Sequence, residues 1–119
     1  MKRTLVIGAS EKPERYSNKA IRKLRAYGHE VVALAARPGQ VEDVIFETEK
    51  KAFQGIHTVS VYLGPQNQDA FIDYIIGLNP ERVIFNPGTE NPEFRESLRK
   101  AGILPEEACT LVLLGTGQY

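Results

Sequence analysis

The stretch Thr4-Leu5-Val6-Ile7-Gly8-Ala9-Ser10 is an apolar run that stops abruptly at a glycine. A short, continuous apolar run is typical of a central strand that is buried on both faces, as in parallel sheets covered by helices. Gly8 allows the backbone to leave such a strand in a turn that other residues adopt only with strain. We therefore expect a strand over Thr4–Ile7 and a polar loop over residues 9–16.

The residues after this loop predict a helix and a second strand. From Ser17 to Tyr27, apolar residues recur at helical spacing between lysines and arginines, as in an amphipathic helix. Ser17 or Asn18 is expected to cap the start of the helix, and Gly28 to end it in the left-handed conformation. Glu30 to Ala35 reads as another buried strand, so the chain begins with a βαβ unit and a parallel sheet.

Further elements follow at regular intervals. Strands are predicted over Thr58–Leu63 and Val83–Phe85, with a helix over Gln66–Leu78 between them. The next helix is marked by Asn91 as its cap and Pro92 in its first turn. These alternating elements extend the βαβ pattern along the chain.

Two segments are ambiguous. Val41–Lys51 carries mixed signals for a short strand and a helical turn. Near the C-terminus, Leu111–Leu114 resembles a buried strand by periodicity, yet Ile103-Leu104 occupies the place expected for the fifth strand. With 119 residues, the chain is predicted to form one domain over residues 1–119. The expected fold is a Rossmann-like three-layer α/β sandwich with a mainly parallel five-stranded sheet.

Composition narrows the range of partners. Fifteen basic and fifteen acidic residues cancel, so there is no net positive field to attract nucleic acid or an acidic membrane. No apolar run approaches the roughly 20 residues needed to cross a bilayer. The single cysteine permits no internal disulfide and no cysteine-based zinc site, which favours a cytoplasmic location and predicts no bound metal.

The predicted ligand edge of the sheet carries four loops rich in glycine and proline. In open parallel sheets, ligands bind at the carboxyl ends of the strands, where the strand order reverses. The four loops at these ends are Gly8-Ala9-Ser10, Ala36-Arg37-Pro38, Leu63-Gly64-Pro65 and Asn86-Pro87-Gly88-Thr89.

The first loop suits a phosphate or diphosphate. Gly8 permits close approach of the backbone, while Ser10, Arg15 and Ser17 offer donors beside the start of a helix, which favours anions. The alternative is an ordinary turn with a solvated Arg15. Since the dinucleotide pattern G-x-G-x-x-G is absent, a typical NAD enzyme is disfavoured.

Two other loops each allow two interpretations. Arg37 stands where many Rossmann domains discriminate ribose substituents, and a cation there suits the ribose-attached phosphate of NADP or coenzyme A. It could equally be a solvated turn residue. Asn86, Pro87 and Gly88 could line the pocket or merely form a tight turn.

No catalytic residue is predicted. His29 and His57 precede strands and so belong to the edge opposite the ligand loops, where a structural role is expected. Cys109 has no histidine partner at a strand end and is expected to be a small buried or capping residue. No paired carboxylates converge, which also argues against a response-regulator receiver domain.

Five segments together resemble the small stand-alone CoA-binding proteins. They are Val6-Ile7-Gly8-Ala9-Ser10, Pro13-Glu14-Arg15-Tyr16-Ser17, Gly28-His29-Glu30-Val31-Val32, Ala101-Gly102 and Cys109. That family is similar to the CoA-binding domain of the succinyl-CoA synthetase α subunit. The resemblance implies a parallel Rossmann-like sheet that holds CoA across its carboxyl edge, without the ligase activity of the synthetase.

The resemblance also implies a set of binding residues. The expected cofactor-binding residues are Gly8, Ala9, Ser10, Arg15, Tyr16, Ser17, Asn18, Arg37, Pro38, Leu63, Gly64, Pro65, Asn86, Pro87 and Gly88. The first loop would hold the diphosphate and Arg37 the adenosine end. The chain departs from the family at Ala35-Ala36-Arg37-Pro38, where an Asn-Pro pair is usual.

The leading hypothesis is therefore non-catalytic binding of coenzyme A or acyl-CoA. One alternative is an NADP-binding oxidoreductase or redox sensor, which the first loop and Arg37 permit but the missing glycines oppose. The other alternative is a protein interaction module that has lost its ligand. A homodimer or an unknown protein partner is compatible with each hypothesis.

Overall fold

The computed structural model describes residues 1–119 and contains a seven-stranded sheet. The strands are β1 (Thr4–Ile7), β2 (Val31–Leu34), β3 (Gln40–Val41), β4 (Val44–Glu47), β5 (Thr58–Val61), β6 (Arg82–Phe85) and β7 (Leu104–Glu107). Their order across the sheet is β3-β4-β2-β1-β5-β6-β7. All neighbours pair in parallel except β3 and β4, which are antiparallel.

Four α-helices connect or follow the strands. They are α1 (Tyr16–Ala26), α2 (Ile72–Leu78), α3 (Pro92–Lys100) and α4 (Thr110–Gly115). Two 3₁₀ turns, Pro65–Asn67 and Asp69–Phe71, precede α2. None of the four helices combines the length and the apolar character needed to span a membrane.

The hydrophobic core lies on both faces of the sheet, because successive strand residues point to opposite sides. On one face, Leu5 and Ile7 of β1 pack in a cluster with residues of α2 and α3, namely Ile75, Phe94 and Leu98. On the other face, Val6 belongs to a cluster with residues of α1 and α4, namely Ile21, Leu24 and Leu114. The predicted three-layer, mainly parallel Rossmann-like fold is therefore confirmed.

The predicted number of five strands is wrong, because the ambiguous segment Val41–Lys51 contributes an additional hairpin. Val44 and Phe46 are buried while Ile45 between them is exposed, which is the alternation of a strand covered on one face. β3 and β4 are joined by a two-residue turn in which Glu42 has a φ of 54°. Only two residues of β3 pair, too few to produce a clear sequence pattern.

The C-terminal ambiguity is resolved in favour of Ile103-Leu104. β7 starts at Leu104 and pairs in parallel with β6, which confirms the expected place of that strand. The strand-like interpretation of Leu111–Leu114 is wrong, because these residues belong to α4. Leu114 is buried against the sheet and Val112 is exposed, so the apolar run forms an amphipathic helix with one buried and one exposed face.

Local sequence signals predicted two helix boundaries correctly and one wrongly. Gly28 follows α1 with a φ of 84°, and the Asn91 side chain accepts a hydrogen bond from the Phe94 amide, so both predictions are confirmed. The predicted cap of α1 is wrong. The residue at the cap position is Arg15, with no side-chain hydrogen bond, while Ser17 and Asn18 lie inside the first turn.

β7 forms one edge of the sheet. The amides of Leu104 and Ala108 donate to the carbonyls of Glu81 and Phe85, so alternate amides of this strand face β6. Pro105, between them, therefore presents its nitrogen to the open side, where it has no proton to donate.

Candidate functional site

A cavity of about 660 Å³ lies at the carboxyl edge of the parallel strands. Its walls come from the loops after β1, β2, β5 and β6, together with the start of α1 and one residue of β4. The strand order reverses between β1 and β5, so the cavity sits at the topological switch point where α/β sheets bind ligands.

Gly8 lines the cavity at the end of β1, at a position that requires glycine. Its φ is 93°, and a Cβ at this position would lie 3.0 Å from the carbonyl carbon of Tyr62. The amides of Gly8 and Ala9 both donate to the carbonyl oxygen of Leu34. The loop thus needs glycine for its approach to the end of β5, and these two amides are not free to bind a ligand.

The first turn of α1 supplies the free donors instead. The amides of Tyr16, Ser17 and Asn18 donate to no other group of the chain, because the intrahelical bonds begin with the Lys19 amide. No acidic residue lies in this turn. Unpaired amides and the helix dipole together favour an anion at this end of the helix.

Three cationic side chains line the same cavity. Lys12, Arg15 and Arg37 form no ion pair and donate no side-chain hydrogen bond within the chain. The one carboxylate in the wall is that of Glu11, which accepts a hydrogen bond from the Gln40 amide at 3.0 Å. The walls therefore carry an excess of positive charge, although the whole chain is neutral.

Asn18 supports the first loop from behind. Its side-chain amide donates to the Ser10 carbonyl at 2.9 Å, and its Oδ1 accepts from Arg22 Nε at 2.8 Å. The Ser10 hydroxyl in turn accepts from the Lys12 amide. The Asn18 side chain is buried and does not line the cavity, and its hydrogen bonds hold the first loop in place.

Gln68 fastens the loops after β5 and β6 to each other. Its Nε2 donates to the carbonyls of Leu63 and Thr89, both at 2.8 Å, and its Oε1 accepts from Asn91 Nδ2. The side chain is almost completely buried. Sequence reasoning missed this residue, because two of its three partners, Thr89 and Asn91, lie 21 and 23 positions away along the chain.

Asn86 connects three elements beneath the cavity. Its Nδ2 donates to Ser60 Oγ and the Val61 carbonyl at 2.9 Å each, and its Oδ1 accepts from the Thr110 amide at 2.9 Å. This side chain therefore links β5, β6 and the start of α4. Both Nδ2 protons are used in these bonds, so the side chain supports the structure here and has no free proton to donate to a ligand.

A smaller cavity of about 230 Å³ adjoins the first. Its wall residues are Tyr16, Tyr62, Asn86, Pro87, Cys109 and Leu111. Tyr16, Tyr62 and Pro87 also line the larger cavity, so the two lie side by side. Cys109 is half-buried at the cap position of α4, in line with the expected small capping residue.

The Tyr62 hydroxyl makes no hydrogen bond within the chain although it is buried. Burial raises the pKa of Tyr62 to about 12, against the smaller opposing influence of the nearby hydroxyls of Ser60 and Thr110. Those two hydroxyls bond to each other at 2.8 Å.

The structure brings together most of the predicted site residues. The larger cavity is lined by Gly8, Ala9, Ser10, Arg15, Tyr16, Ser17, Arg37, Pro38, Gly64, Pro87 and Gly88. Four predicted residues are outside its wall, namely Asn18, Leu63, Pro65 and Asn86. Leu63 packs against the core, and Pro65 begins a 3₁₀ turn. A role in binding CoA stays a prediction for every one of them.

Six wall residues were not in the predicted set of binding residues, although two of them, Ala36 and Thr89, belong to the predicted ligand loops. They are Glu11, Lys12, Ala36, Phe46, Tyr62 and Thr89. Most of these lie next to predicted positions, so extending each loop by one or two residues would have found them. Phe46 is different, because it reaches the cavity from the unexpected strand β4.

The two histidines lie at the opposite edge, as expected. His29 Nδ1 accepts from the Lys2 amide at 2.9 Å, and His57 Nε2 lies 2.9 Å from a carboxylate oxygen of Glu81. Burial is the main cause that lowers the pKa of both rings. Neither ring contributes to the cavity wall.

The parallel sheet, its flanking helices and the cavity at the strand-order reversal place the chain in the Rossmann-like class of α/β folds. Residues 2–115 match the family model described as CoA binding domain. The chain belongs to this family.

Solved structures of other proteins share the fold of this chain. A crystal structure of a protein described only as uncharacterized is 42% identical, with a TM-score of 0.98 over 100% of this chain and 98% of that one. A protein from Thermus thermophilus is 24% identical, with a TM-score of 0.85 and coverages of 99% and 90%. A hypothetical protein from Pyrococcus horikoshii OT3 is 22% identical, with a TM-score of 0.80 and coverages of 93% and 80%. No curated protein matches the chain.

Proposed function

We propose that the chain binds coenzyme A or an acyl-CoA in the larger cavity and catalyses no reaction itself. The single observation that carries this proposal is the start of α1, where Tyr16 and Ser17, whose amides are unpaired, line one cavity together with Arg15, whose guanidinium has no partner in the chain. Membership in the CoA binding domain family supports the choice of ligand. The diphosphate of CoA is the group that suits these donors.

The position of the other cations fits the rest of the ligand. Arg37 follows β2 and lines the same cavity, where it would pair with the phosphate on the ribose. Lys12 precedes both arginines in the sequence, lines the same cavity and adds a third unpaired positive charge. The larger cavity is within the range of volumes that small-molecule and cofactor sites occupy.

The absence of catalysis is proposed from the chemistry of the wall. Its titratable side chains are the three cations, Glu11 and two tyrosines. The Glu11 carboxylate is engaged by a backbone amide, and the Tyr62 hydroxyl is buried with a raised pKa. No histidine, the most frequent general base, is among them.

Calorimetric titration of the protein with CoA tests the proposal. We expect saturable binding, weakened at least tenfold in Arg15→Ala because a charge-assisted hydrogen bond contributes roughly 1.5–3 kcal/mol. Arg99→Ala is the control, since Arg99 lies on α3 away from the cavity. Native mass spectrometry of freshly purified protein would identify a retained ligand directly.

Other nucleotides separate this proposal from its alternatives. Binding of NADP in preference to CoA would support the oxidoreductase or redox-sensor hypothesis and contradict ours. Failure of both ligands to raise the melting temperature, together with a stable protein partner, would support the interaction-module hypothesis.

A further inference from the structure

We infer that the smaller cavity receives the acyl group of a short-chain acyl-CoA, so that the preferred ligand is the thioester rather than free CoA. The inference rests on the proposed function and adds the class of acyl group. Its first support is position. Tyr16 is the first residue of α1, next to the unpaired amides, and it lines both cavities.

The route between the cavities is short for a bound ligand. A chain attached to a diphosphate at the start of α1 reaches the smaller cavity by passing Tyr16, Tyr62 and Pro87, the three residues that both walls share. Tyr16 is 66% exposed and can yield to such a chain. The cations lie in the wall of the larger cavity only, so the phosphates of the ligand would bind there and its apolar end in the smaller cavity.

The second support is the chemistry of the smaller cavity. Its wall consists of two tyrosine side chains, Pro87, Leu111, the Cys109 thiol and Asn86. Both Nδ2 protons of Asn86 are engaged by Ser60 and the Val61 carbonyl, its Oδ1 accepts from the Thr110 amide, and the Tyr62 hydroxyl is withdrawn from the surface. The groups that remain to contact a ligand are mainly apolar, and they favour an alkyl chain over a polar end.

The third support is size. An apolar cavity of about 150 Å³ holds one benzene molecule, which has six heavy atoms. By proportion, 230 Å³ accommodates about nine heavy atoms. The sulfur and carbonyl oxygen of a thioester account for two of these heavy atoms. Because the packing need not be tight, the remaining volume accommodates an acyl chain of about four to six carbons.

Calorimetry with a series of ligands tests the inference. The series is CoA, acetyl-CoA, butyryl-CoA, hexanoyl-CoA and decanoyl-CoA, the last below its micelle-forming concentration. We expect affinity to rise up to fourfold for each buried methylene, with butyryl- or hexanoyl-CoA at least tenfold tighter than CoA and no further gain for decanoyl-CoA. If CoA and all four thioesters bind with equal affinity, the inference is overturned and the proposed function still stands. Binding of neither CoA nor any thioester would overturn both.

Variants at Leu111 test the location of the acyl group. Leu111→Phe narrows the smaller cavity and should move the preferred chain length down by about two carbons, whereas Leu111→Ala should move it up. Val112→Phe, which enlarges the neighbouring exposed residue, is the matched control and should leave the preference unchanged. Opposite shifts cannot arise from partial unfolding, which thermal melting would reveal separately. An unchanged preference in both folded Leu111 variants would contradict the inference.

Discussion

Gly8 contacts the backbone of Tyr62 so closely that a Cβ on Gly8 would lie 3.0 Å from the Tyr62 carbonyl carbon and 3.1 Å from its oxygen. This contact joins the exits of β1 and β5, the two strands between which the order of the sheet reverses. Gly8 and Tyr62 both line the larger cavity, so the two backbone segments meet at its wall. This close approach depends on the missing side chain at position 8.

We expect Gly8→Ala to destabilise the protein by about 2 kcal/mol or more, because alanine meets both an unfavourable φ and the Tyr62 carbonyl. Gly28→Ala is the control. Gly28 has a φ of 84° but no atom within 4 Å of the added methyl group, so only the backbone strain applies. Urea denaturation measures both losses. Equal losses would show that the contact with Tyr62 costs nothing.

We expect Asn86→Ala to lower the free energy of unfolding by about 3 kcal/mol. The substitution leaves Ser60, the Val61 carbonyl and the Thr110 amide without the partner that Asn86 supplies. Asn67→Ala, at an exposed position without a side-chain hydrogen bond, should change stability by less than about 0.5 kcal/mol. Chemical denaturation would decide, and a loss for Asn86→Ala as small as that of the control would contradict the structural role of this amide.

The raised pKa of Tyr62 predicts a loss of stability at alkaline pH. The unfolded state releases the proton near pH 10 and the folded state only near pH 12, so the stabilising contribution is complete below pH 10 and is lost as the pH rises toward 12. The slope is up to about 1.4 kcal/mol per pH unit in this window. In Tyr62→Phe this slope should be smaller, as measured by denaturation at pH 9, 10 and 11.

The same variant should be neutral or slightly stabilising at pH 7, because the hydroxyl that it removes is buried without a partner. Ultraviolet titration provides a second measurement. Tyr62 should be among the last of the five tyrosines to ionise in the folded protein. The titration curve of Tyr62→Phe should therefore lack part of the absorbance change at the highest pH. A marked loss of stability at pH 7 would show that the hydroxyl has a partner in solution.

We expect Arg37→Ala to weaken CoA binding roughly ten- to a hundredfold, because the guanidinium would lose a charge-assisted contact with the ribose phosphate. The 3′-dephospho form of CoA should bind the wild-type protein and the variant equally. Calorimetric titration of both proteins with both ligands gives a thermodynamic cycle that measures the interaction between Arg37 and the ribose phosphate. If the variant loses the same factor with either ligand, Arg37 contacts some other part of the molecule.

The ligand edge of this fold could be predicted because its signals are local. Gly8 directly follows a buried strand, and Asn91-Pro92 starts a helix with a cap that involves only its own first turn. Loops at the ends of parallel strands must meet, so their glycines and prolines indicated the cavity without knowledge of its walls.

The remaining features depend on distant contacts. The apolar run Leu111–Leu114 fits a strand or a helix, and the edge position next to β6 is already taken by β7. The start of α4 is held by Asn86, a residue 24 positions away. Gln68 and the strand β4 likewise gain their partners from other segments, and no local pattern reports such pairings.

The position of Pro105 bears on how two copies of this chain could associate. Another strand that approached the open side of β7 would find no proton on the Pro105 nitrogen and would meet the exposed carboxylate of Glu107 close by. Edge-to-edge extension of the sheet into a continuous ribbon through β7 is therefore opposed by the sequence of that strand.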